Sequence, residues 1–135
     1  VRIEIVKGFD EAYSPAVVRR LGALKPGFYT RIGAAVRHAT AELAKAAASD
    51  RLLLILTDGK PNDIDHYEGR FGVEDTRRAI QEGRRHGVRP FGVTIDARAE
   101  ARFPLLFGRG GFAVVSDPAR LPAAMPILLR RLAAA

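Results

Sequence analysis

Residues 51 to 68 read RLLLILTDGKPNDIDHYE: five aliphatic residues in unbroken succession, Leu52 to Leu56, lead through Thr57 and Asp58 into a loop of glycine, proline, asparagine and acid. A continuous apolar run bounded by a charge and a turn is the pattern of a parallel strand covered on both faces, which places it centrally in its sheet. Downstream, Val73 to His86 reads as a helix, with Glu74 and Asp75 in its first turn, Arg84 and Arg85 in its last, and Gly87 beyond, so its charges oppose the helix dipole. Val88 to Ile95 reads as a strand with Pro90 near its start and Asp96 at its end. Ala97 to Phe107 reads as a weak helix interrupted by Pro104, and Phe112 to Val115 as a short strand. Leu121, Met125, Leu128 and Leu132 mark a closing helix with a break expected at Pro126. Upstream, Thr30 is placed to cap a helix carrying the stripe Ile32, Val36, Ala39, Leu43 and Ala47. Before it, Ser14-Pro15 opens a short helix that Lys25-Pro26-Gly27 ends, and Val1 to Val6 alternates as a half-buried strand would. Strands alternating with helices imply an α/β fold, an open and mostly parallel sheet with helices on both faces.

At 135 residues the chain fits one domain, and with 47% hydrophobic and 27% charged residues it has a globular balance. The run Leu52 to Leu56 is too short to span a bilayer, and Val1 to Val6 lacks the apolar core of a signal peptide, so a cytoplasmic protein is expected. Cysteine is absent, which excludes disulfides, thiol catalysis and thiolate metal sites. The sole methionine is Met125 and the chain opens inside a strand-like pattern, which reads as a piece of something longer. The formal charge of +7 invites a nucleic-acid reading. Its distribution argues against one, because Arg19-Arg20, Arg77-Arg78, Arg84-Arg85 and Arg130-Arg131 fall as pairs on different helices without interleaved aromatics. Solvated helix faces account for them, and an acidic protein partner is the next reading.

In an open α/β sheet, ligands bind beyond the carboxyl ends of the strands. Asp58 is the first residue past the buried run, and with Asp63 it offers hard oxygen donors suited to Mg²⁺, Ca²⁺ or Mn²⁺. A plainer account has both aspartates capping turns. Asp63, Asp65 and Glu74 fall at positions one, three and twelve of an EF-hand loop, but Glu68 stands where that loop needs glycine, and the match fails. His66 reads as a surface-loop residue, and His38 and His86 as helix residues. No Walker A loop, dinucleotide fingerprint or nucleophile elbow is present.

The ordered set KPGFYTRIGAA (Lys25 to Ala35), LLLILTDG (Leu52 to Gly59), KPNDID (Lys60 to Asp65) and YEGR (Tyr67 to Arg70) resembles a von Willebrand factor A domain. Within that fold, GKPNDID…YEGR…VEDTRRA is similar to the carboxy-terminal domain of nitric oxide reductase activation proteins (NorD type) and Rubisco-activating relatives (CbbO type). The resemblance implies a metal-ion-dependent adhesion site (MIDAS) to which Thr30 and Asp58 would contribute, holding Mg²⁺, or Mn²⁺ or Ca²⁺ in its place. The family's first segment, Asp-x-Ser-x-Ser, has no counterpart in residues 1–135, which puts metal binding by these residues alone as weak or absent. Val1 to Val6 matches the family's third strand, so residues 1–135 would form a partial, N-terminally truncated domain of strands three to six. The resemblance further implies an adaptor rather than an enzyme. It would recruit a client, nitric oxide reductase or a Rubisco-like protein, to a MoxR-type AAA+ ATPase. The client would offer a carboxylate to the metal, and Lys60, Asn62 and Asp63 would line the recognition loop. The competing reading is a magnesium-dependent phosphoryl-transfer or hydrolytic enzyme using Asp58 and Asp63, and a basic nucleic-acid binder comes third.

Overall fold

The computed structural model describes residues 2–27, 30–57 and 69–134, and the backbone alone at residues 99–100. In chain order these form α1 (Pro15–Gly22), α2 (Ile32–Lys45), β1 (Leu52–Thr57), α3 (Gly69–Arg85), β2 (Arg89–Thr94), a 3-10 turn (Ala97–Ala101), α4 (Phe103–Phe107), β3 (Phe112–Val114), a second 3-10 turn (Pro118–Arg120) and α5 (Leu121–Ala134). The three strands make one parallel sheet in the order β1-β2-β3, with Leu52 opposite Arg89, Thr57 opposite Thr94 and Thr94 opposite Val114.

The local chemistry of each element follows its residues. Pro15 at the start of α1 and Pro104 at the start of α4 stand where an amide hydrogen has no partner to lose, so Pro104 opens α4 instead of interrupting a longer helix. Gly87 ends α3 with φ +72°, a left-handed conformation that a side chain disfavours. α5 runs unbroken through Pro126, contrary to the expected break, and its stripe Leu121, Met125, Leu128 and Leu132 is half-buried as the period requires.

Residues that alternate along a strand face opposite sides, and parallel partners share a side. Leu53 and Ile55 of β1 pack with Phe112 of β3 against Ile32 and Val36 of α2, Ala79 and Ile80 of α3, and Phe103, Leu106 and Phe107 of α4. The Phe103 ring lies 5.2 Å from Phe107 and meets Phe112 edge-on at 5.6 Å, arrangements aromatic quadrupoles favour. Phe91 and Val93, on the other side of β2, are also buried, so apolar packing covers both faces of this strand. α2 and α3 are tied across their outer surface by Arg37, which donates to Asp75 Oδ1 at 2.8 Å and Glu82 Oε2 at 2.7 Å.

Two expectations fail here. Residues 2–6 form no strand, and Ile5 is largely exposed; alternation specifies a strand only where a neighbouring strand accepts its hydrogen bonds. β1 is not central but stands at one edge of the described sheet, and Leu56 on it is 54% exposed. The apolar run reported a strand built for burial, whereas its position depends on which strands are there to flank it.

Candidate functional site

The carboxyl ends of β1 and β2 lie side by side, because Thr57 and Thr94, the last residue of each, are register partners. Thr94 is fully buried, and its hydroxyl oxygen accepts the Asp96 amide at 3.1 Å. Asp96 Oδ1 in turn accepts the Arg98 amide at 2.9 Å and Arg98 Nε at 3.2 Å, which pins the turn leaving β2.

Thr30 reaches this edge from α2. It is exposed and stands two residues before the helix, and the capping position belongs to Arg31 with no side-chain cap bond, so Thr30 does not cap α2 as expected. A groove of about 390 Å³ runs between α2 and β1, and both Thr30 and Thr57 line it. Thr30 thus shares a groove with the apolar strand from Leu53 to Thr57. Asp58, which follows Thr57 in the chain, lies outside the described residues, as do Lys60, Asn62, Asp63 and His66.

Thr30 supplies a neutral hard oxygen of the kind Mg²⁺ accepts, and its hydroxyl is not engaged as a helix cap. Among the described residues no group of three His, Cys, Asp or Glu side chains could hold an ion. The described part of the site therefore offers one hydroxyl, that of Thr30, of a donor type a divalent cation accepts. Glu74 is not a further one: it accepts from Arg77 Nη2 at 2.8 Å and Arg78 Nε at 3.2 Å. The Arg77 pair first, and the Arg78 pair after it, lower its carboxyl to about 2. His38 and His86 are exposed on α2 and just beyond α3.

Thr94 and Asp96 escaped the sequence reading, which placed Asp96 at a strand end without a role. The available signal was threonine closing both strands, and the register that aligns them is a tertiary fact. Among the described residues no helix is long and apolar enough to cross a membrane.

Residues 10–119 match the von Willebrand factor type A domain. The chain is 60% identical over 133 residues to Protein NorD of Brucella suis biovar 1, an alignment covering 98% of this chain and 21% of that protein. It is 49% identical over 118 residues to Protein NorD of Stutzerimonas stutzeri, covering 87% of this chain and 19% of that one. An uncharacterized protein of Pseudomonas aeruginosa is 51% identical over 132 residues, covering 98% of this chain and 22% of that protein. The chain spans about a fifth of the length of the curated relatives it matches. No solved structure matches it.

Proposed function

Since the chain belongs to the von Willebrand factor type A domain family, we infer that it serves as the metal-dependent recognition domain of a NorD-type activation protein. In this reading Thr30 and Asp58 hold Mg²⁺, or Mn²⁺ or Ca²⁺ in its place, and the bound cation supplies an electrostatic anchor for a carboxylate on the client. Lys60, Asn62 and Asp63 touch the client around that anchor. The client is nitric oxide reductase or a Rubisco-like protein, and a MoxR-type AAA+ ATPase supplies the work that remodels it, so the domain itself is not an enzyme. The observation that supports the reading is the groove whose lining includes both the Thr30 segment and Thr57, the strand end that precedes Asp58 in the chain. Thr94 and Asp96 contribute by fixing the adjoining turn, so the edge presents a stable rim to whatever docks there. Identity with proteins named NorD over nearly the whole chain supports the same assignment.

The test is Asp58→Ala in the full-length protein. The variant is expected to fold and to co-purify with the ATPase while failing to activate the client. Normal client activation by a folded Asp58→Ala protein refutes metal-dependent recruitment. A turnover by the domain that Asp58→Ala abolishes supports instead the phosphoryl-transfer or hydrolytic reading, with Asp58 and Asp63 as its carboxylates.

A further inference from the structure

All three strands are parallel, so their amino ends share one edge, opposite to the edge bearing Thr30 and Thr57. Each helix that returns the chain to the next strand delivers its own carboxyl end to that amino edge. Cations are favoured at such ends, and three arginines serve there as caps. Arg51 Nη2 donates to Ala46 O at the end of α2 at 2.9 Å, Arg84 donates to Phe107 O at the end of α4, and Arg89 Nη2 donates to Leu132 O in the last turn of α5 at 2.6 Å. These contacts also bring the neighbouring segments to the same edge. The Arg89 amide donates to Arg51 O at 2.7 Å, Arg84 reaches the residue before the Gly108-Arg109 turn, and Leu132 follows Arg131.

Dipole compensation accounts for the three caps. It does not account for Arg85, Arg109 and Arg131, which are exposed and make no ion pair with a described residue. Within the segments that build the edge (45–51, 84–89, 107–111 and 131–132) Asp50 is the one carboxylate, and Arg89 already holds it at 3.0 Å. We propose that this amino edge is a second docking face, and that its occupant is an acidic protein surface. The proposal rests on the adaptor reading above, to which it adds the face turned toward the second partner. Carboxylates are favoured over nucleic acid because the edge offers no exposed Phe, Tyr or Trp on which bases stack. Arg85, Arg109 and Arg131 also come from three separate segments and not from one helix face, whereas tracking a phosphate backbone calls for a continuous stripe.

The full-length protein, its triple variant Arg85→Glu/Arg109→Glu/Arg131→Glu, and a control triple Arg19→Glu/Arg102→Glu/Arg120→Glu of equal charge change outside the edge are titrated with an oligoglutamate peptide and with a short DNA duplex. At about 0.15 M salt, where the Debye length is about 8 Å, position matters as well as net charge. The edge triple is expected to lose roughly tenfold or more in peptide affinity and the control less than about twofold. Arginine-to-lysine replacement at the three edge positions should retain peptide binding, and unchanged thermal unfolding of each variant establishes that the fold is intact. Equal losses in the two triples, no peptide binding by the parent protein, or tighter binding of the duplex than of the peptide overturns the proposal. With EDTA present throughout, so that no cation is left to anchor a carboxylate at Thr30 and Asp58, the edge triple should show the same loss of peptide affinity, so failure of this docking face and failure of metal-dependent recruitment give different results.

Discussion

A Cβ built on Gly92 would meet the Phe107 ring carbons at 2.5 to 2.8 Å. Phe107 cannot retreat, because it is fully buried and its ring packs on Phe103. Gly92→Ala is therefore an overpacking change, expected to cost about 1–3 kcal/mol in a urea unfolding series. An unchanged midpoint would show that α4 can shift away from the sheet. Thr30→Val predicts the opposite pattern. The side chain is exposed and caps nothing, so the unfolding midpoint should hold. Calorimetry on the full-length protein should show weaker Mg²⁺ binding, and equal affinity would remove Thr30 from the ligand set. The two substitutions separate a residue required by packing from one available for function.

At the scale of an element, α3 carries the clearest electrostatic signature. Glu74 pairs with Arg77 and Arg78 one turn on, and its carboxyl is lowered from 4.5 to about 2. A carboxyl held lower in the folded state contributes stability that is complete above its unfolded value and is lost as pH falls through its folded one. The urea midpoint should accordingly decline as pH falls from about 5 toward 2, and Glu74→Gln should make the decline shallower. A pH profile identical in the two proteins would show that the pair contributes nothing. Glu11, paired with Arg20 of α1, is shifted in the same direction by the same cause. Between elements, Arg37 joins α2 to α3 through two carboxylates, with Glu82 the stronger influence in raising its pKa. A contact of this kind orients two helices whose apolar stripes alone would tolerate sliding.

Across the described residues as a whole, the feature with consequences is the edge position of β1 in their sheet. An apolar strand at a sheet edge presents unpaired backbone groups to any other chain. The isolated 135-residue chain is expected to self-associate in a concentration-dependent way, and Leu56→Lys, a charge on a side chain already 54% exposed, should reduce that association. Light scattering on both proteins tests this, and a monomeric parent at every concentration would mean that the edge is covered. The charge has a whole-molecule logic too. Parallel strands with returning helices collect helix carboxyl ends at the amino edge, and Arg51, Arg84 and Arg89 are spent there on backbone carbonyls.

By itself the sequence determined the elements and the fold class, because periodicity, proline and glycine act within a few residues of themselves. The stripe on α2 as far as Leu43, the glycine ending α3 and the apolar run of β1 are local signals that form where the residues place them. But α2 stops at Lys45, before Ala47, and α3 begins at Gly69, four residues ahead of Val73, so Glu74 and Asp75 fall outside its first turn. The sequence also carried the family, through the ordered segments around Thr30 and Thr57. Where it erred, the missing information was non-local. Residues 2–6 alternate like a strand and form none among the described residues, while Leu52 to Leu56 reads as central and lies at one edge of the described sheet, since strand position is set by neighbours far away in sequence. Pro126 was expected to break α5, yet the helix continues through it. Tertiary structure alone aligned Thr57 with Thr94, set Thr30 in the same groove as Thr57, and turned three arginines distant in sequence into caps on one edge. Those facts depend on strand register and helix return, which bring together residues that no spacing rule connects.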